Sequence, residues 1–161
     1  MDFEERLQKA IHRGRLRGDE RAREESERAL SEDDLKRLHT GYRLQLSDQI
    51  EGCLAQLPGH FPGFDFQTIF GDRGWGGAAS RDDIQVGGDR KRSNLYSRLE
   101  MTIRPFSSLH VLDLAAKGTV RNKEIFNRNH FEKVEDADVQ NFSELIDLWV
   151  LEYAELYATQ G

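Results

Sequence analysis

The sequence predicts an α+β fold: an antiparallel meander of about four strands packed against a long helix and a C-terminal amphipathic helix, with a charged helical N-terminal extension. Three stretches predict it. Residues 95–104 alternate with period two, Leu95, Leu99, Met101 and Ile103 on one side and Tyr96, Arg98, Glu100, Thr102 and Arg104 on the other. Successive strand side chains point to opposite faces, so this is a half-buried strand. Residues 31–57 and 142–157 carry apolar side chains at three- and four-residue steps, the pattern of helices with one buried face. A hairpin with one apolar face needs a cover, and the flanking helices supply it.

Residues 1–30 hold eight basic and eight acidic side chains and few apolar ones. Phe3, Leu7, Ala10 and Ile11 form a short stripe at helical spacing. Gly14 and Gly18 then interrupt it, each costing a helix about 1 kcal/mol relative to Ala. Such a helix is marginal alone and needs its Phe3 end docked. Ser31 is the expected cap of the next helix, followed by an acidic first turn of Glu32, Asp33 and Asp34. That helix is expected over 32–57, on a stripe of Leu35, Leu38, Tyr42, Leu46, Ile50, Cys53 and Leu57, with Pro58 and Gly59 stopping it. At 1.5 Å per residue it is about 40 Å long, more than a short strand covers. The surplus calls for the N-terminal segment or a second subunit.

Phe64, Phe66 and Phe70 mark a strand over 64–70, a second follows over 75–84, and 87–94 reads as a polar loop. After Pro105, Ser107 and Ser108 comes a strand with Leu112, Leu114 and Ala116 on one face. Lys117-Gly118 is the expected tight turn. Residues 119–134 read either as a further short strand or as an irregular connection packing Ile125, Phe126, Phe131 and Val134. Asp136 or Asp138 caps the final helix, whose stripe is Phe142, Leu145, Ile146, Trp149, Val150, Tyr153, Leu156 and Tyr157. The length favours one domain, 31–161, carrying 1–30 as an extension. In element order alone the chain resembles secretion-chaperone-like dimers and helix-grip ligand-binding folds, a likeness that does not carry function.

The net charge is −6, and residues 136–161 contribute six acids with no Lys or Arg. They read as a solvated acidic face or as a docking surface for a basic partner. One cysteine rules out an intrachain disulfide and suits a reducing compartment. The charged N-terminus is unlike a signal peptide, and no window has the length and apolarity of a spanning helix, so the expectation is a soluble, cytoplasmic protein without a membrane partner. No catalytic set is marked, and the five histidines show no metal-ligand spacing, so no catalytic residue, cofactor or metal is assigned. The Gly-rich GDRGWGG lacks the Lys-Ser/Thr ending of a phosphate loop and reads as a bent turn around Trp75.

The candidates for touching a ligand or partner are Trp75, Arg98, Arg104, Arg121, Asn122, Lys123 and Arg128. Arg13, Arg15 and Arg17 are the nucleic-acid candidates. Their flanking acids and the anionic chain argue against that partner, which calls for one strong basic face. The expected function is a non-enzymatic interaction, scaffold or chaperone-like protein acting as a homodimer. The alternatives are a small-molecule binder or enzyme with a pocket between sheet and C-terminal helix, lined by Trp75, Arg98, Arg104, Tyr153 or Tyr157, and nucleic-acid contact through the basic clusters.

Overall fold

The structure, a computed structural model, describes residues 2–160, with side chains at all of these except 29, 30 and 160. The chain divides into two compact units, Met1–Arg37 and Leu38–Gly161. The first is helical. Helix α1 spans Phe3–Leu54, 52 residues. Its start is fixed by Asp2, whose Oδ1 accepts the Glu5 N–H at 2.9 Å, while Glu4 and Glu5 fill the first turn and meet the positive end of the helix dipole. The expected start at Ser31 is therefore corrected: Ser31 lies inside α1. Gly14 and Gly18 weaken the helix but do not end it. Glycine accepts helical dihedrals, and the Arg- and Glu-rich neighbours propagate a helix once it has begun.

In the second unit α1 ends at Leu54, and a short helix α2 (Leu57–His60) holds Pro58 in its first turn, where a missing N–H costs nothing. Strands β1 (Asp65–Ile69), β2 (Trp75–Arg81), β5 (Ser97–Ile103), β6 (Val111–Val120) and β7 (Lys123–Lys133) form one antiparallel sheet in the order β1-β2-β5-β6-β7. The meander thus has five strands rather than about four. A separate hairpin, β3 (Ile84–Val86) with β4 (Arg92–Asn94), is inserted between β2 and β5. Of the polar loop expected over 87–94, residues 92–94 are strand β4 and 87–91 connect the two strands of this hairpin. Asn94 closes its base, donating to Asp82 Oδ1 at 2.7 Å and accepting the Asp83 N–H at 3.2 Å.

One sheet face forms the core. Leu99, Met101 and Ile103 of β5 and Leu112 and Leu114 of β6 are completely buried, as are Leu46, Ile50 and Leu54 of α1. Helix α3 (Val139–Gln160) adds Phe142, Ile146 and Tyr153, all at 0% exposure, with Trp149 at 7%. The period-two strand and the terminal amphipathic helix bury their apolar sides as their patterns predict. Asp138 caps α3, its Oδ1 accepting the Gln140 N–H at 3.0 Å.

The turn expected at Lys117-Gly118 lies elsewhere. Both residues are inside β6, opposite Asn127 and Phe126. A Cβ on Gly118 would stand 3.0 Å from the Phe126 ring and 3.1 Å from Tyr153, so the glycine makes room for two aromatics. The chain reverses at Arg121-Asn122, where φ is +48° and +67°, the geometry of a two-residue type I′ hairpin turn. The ambiguous stretch after it is the 11-residue strand β7, with a register shift against β6 between Gly118 and Thr119.

Candidate functional site

Large buried side chains pack between the sheet and α3. Tyr153 is among them and donates its hydroxyl to the Thr119 carbonyl at 2.8 Å. Burial holds that hydroxyl protonated far above its usual range. Tyr157 meets the Phe61 and Phe64 rings at 4.8 and 4.9 Å and accepts from Arg81 at 3.2 Å. The two tyrosines are thus core and strut.

The opposite sheet face carries charge over a floor of small residues. Register places Glu100 of β5 between Ala78 and Lys117, and Thr102 between Gly76 and Ala115. Glu100 draws in Arg73 at 2.8 Å and Arg98 at 3.6 Å. Arg104 lies 3.7 Å from Asp113, and Lys117 lies 3.9 Å from Glu124. A groove of about 450 Å³ runs here, lined among others by Arg73, Glu100, Thr102, Arg104, Lys117 and Asn127. Cations and carboxylates neutralise one another along it. These are partly exposed pairs, each worth about 0–1 kcal/mol.

On the core face of the sheet, where register sets Trp75 beside Ile103, α1 contributes two residues that sequence reasoning did not single out. The Arg43 guanidinium sits 3.9 Å from the Trp75 ring centre, a cation–π contact. Trp75 therefore stacks within its own chain. His39 is 2% exposed, packs edge-on to Phe106 at 5.5 Å, and has no hydrogen-bond partner for Nε2. Burial lowers its pKa and the nearby Arg43 charge adds to this, against a hydrogen bond to the Arg104 main chain. The helical stripe pointed to Leu38, which is 44% exposed. The buried position is one residue on.

The remaining candidates are placed as follows. Arg121 and Asn122 form the β6–β7 turn. The Asn122 side chain accepts the Tyr96 N–H and donates to Asn94 O, both at 2.8 Å, locking the turn to the start of β5. Lys123 opens β7 and is exposed. Arg128 pairs with Glu152 at 2.9 Å and lies 4.3 Å from the Phe126 ring centre. Arg13, Arg15 and Arg17 are exposed on α1. At 100° per residue, Arg13 and Arg17 share a side and Arg15 points away from them.

Among the described residues, large apolar side chains stay exposed in both units. On α3, Leu148 and Leu151 are 58% and 65% exposed. Leu151 lines a groove of about 300 Å³ together with Cys53, Leu57 and Val150. The Cys53 thiol donates to Asp147 Oδ1 at 3.5 Å, and burial pushes its pKa up to about 11, which leaves it unreactive at neutral pH. In the first unit, every described side chain from position 3 to position 34 is exposed, including Phe3 at 76%, Leu7 at 45% and Ile11 at 46%. Among the described residues, no group of three or more His, Cys, Asp or Glu is arranged to hold a metal ion, and no helix is long and apolar enough to cross a membrane. Compared with known protein families, curated proteins and solved structures, the chain matches none of them.

Proposed function

We propose that this chain is a non-enzymatic interaction protein, a scaffold or chaperone-like element that works as a homodimer in the cytoplasm. The compact α+β unit is the rigid body, and the N-terminal part of α1 is the arm that engages a partner. One observation carries this reading: the arm keeps Phe3, Leu7 and Ile11 on one stripe, and all three are exposed. An isolated helix gains little from such a stripe, whereas a docked one is stabilised by burying it. The single cysteine fits a reducing compartment.

Light scattering tests the assembly. The full chain is expected at twice the monomer mass at tens of micromolar, and Leu7→Glu/Ile11→Glu at the monomer mass with an unchanged body. A monomeric wild type would overturn the reading. The open-face groove supports a second one, a small-molecule site, because its volume lies in the range of ligand clefts. It ranks second because its cations are already paired. Ligands that raise the melting temperature of wild type but not of Lys117→Ala would reverse that order.

A further inference from the structure

The arm's charges are segregated along its axis. Residues 6–17 hold five bases, Arg6, Lys9, Arg13, Arg15 and Arg17, and no acid. Residues 19–34 hold eight acids against three bases, a net −5. Gly18 stands at the boundary. Gly14 and Gly18 share the stripe of Phe3, Leu7 and Ile11, and neither has an atom within 4 Å of where a Cβ would sit. Packing within the chain therefore gives no reason for two glycines that each cost a helix about 1 kcal/mol.

From this distribution we propose that the arm pairs with the arm of a second copy in antiparallel orientation, crossing near Gly14 and Gly18. This rests on the homodimer reading above and names the surface and direction of pairing. Antiparallel pairing about the boundary lays each basic half along the other copy's acidic half. Parallel pairing would set like charges against each other along the whole length. With the crossing at Gly18, Arg13 comes beside Glu24 of the second copy and Arg17 beside its Glu20. Both contacts occur twice by symmetry. These four residues lie on one flank of the stripe at helical spacing. The glycines let the two backbones approach closely where the axes cross. In the same register the stripe residue Ile11 covers the small side chain of Ser26 of the other arm, with Leu7 one turn farther out. In this arrangement the arginines at 13 and 17 are partners for carboxylates rather than for phosphates.

A charge-swap experiment on the full chain decides the orientation. Arg13→Glu/Arg17→Glu and Glu20→Arg/Glu24→Arg are each expected to weaken the homodimer by about 10- to 100-fold, since four contacts turn from attraction to repulsion. Mixing the two variants is expected to restore a dimer of wild-type affinity, because every contact is again between opposite charges. In a Cys53→Ser background, Gly18→Cys is expected to cross-link to itself on oxidation and Leu7→Cys is not. Self-cross-linking at Leu7→Cys, or variants that dimerise as tightly as wild type, would overturn the antiparallel orientation while leaving the homodimer intact. A monomeric wild type would overturn both. Near-ultraviolet circular dichroism equal to wild type in each variant, a signal from Trp75 and Trp149 of the body, shows that the body has not unfolded.

Discussion

At the scale of single residues, the chain shows which polar groups it tolerates inside. His39 is the instructive one. A stripe of leucines on α1 places a histidine in the buried position, against Phe106, with Nε2 unpaired and Arg43 close by. Its pKa is lowered in the folded state, so the neutral form is the one the fold favours. The stability this supports is present above the ordinary imidazole value near 6.5 and is lost as pH falls through the lowered one. The melting temperature should therefore drop as pH is lowered from 7 toward 5, and in His39→Gln the drop should be shallower. Parallel curves for the two proteins would show that His39 does not carry the effect. Nothing in the sequence announced this residue. Its burial follows from the face of Leu46 and Ile50, which runs back by seven residues to His39 and not to Leu38, and its partners Arg104 and Phe106 lie more than sixty residues downstream. Separations of 32 and 27 residues hid the Arg43–Trp75 and Arg73–Glu100 contacts in the same way, and residue type alone does not report them.

At the scale of elements, legibility follows periodicity. Strand β5, and β6 as far as Ala116, were readable because apolar side chains alternate toward the buried face. Helix α3 was readable because its stripe is wide and Asp138 stands at its start. Strand β7 was not, because it lies at the sheet edge, is mostly exposed, and changes phase at the register shift beside Gly118. The β6–β7 turn was missed for a related reason. Lys-Gly looks like a turn, whereas Arg-Asn adopts positive φ here because Asn122 is tied to Tyr96 and Asn94. Asn122→Ala should cost about 2 kcal/mol, from two lost hydrogen bonds and a left-handed alanine. Asn122→Gly should cost about half of that, since it keeps the turn and loses only the side-chain bonds. Urea unfolding measures both. Equal costs for the two variants would mean that the backbone conformation, and not the bonds, is unimportant at this turn.

At the scale of the whole molecule, the chain joins a densely packed body to a helix that packs nothing within its own unit. The α+β class and the closed interior follow from burial patterns that the sequence displays. The role of the arm does not, because glycines and charges that read as weaknesses of a lone helix become favourable only once a second helix is present. A helix stabilised by pairing must also respond to concentration, since pairing is a mass-action equilibrium, whereas a helix stabilised within its chain does not. Hydrogen exchange of the full chain at about 1 and about 100 µM measures that difference amide by amide. The account predicts that amides across residues 6–34 exchange about tenfold or more slowly at the higher concentration while those of β5, β6 and α3 are unchanged. Exchange in the arm that is the same at both concentrations would contradict it.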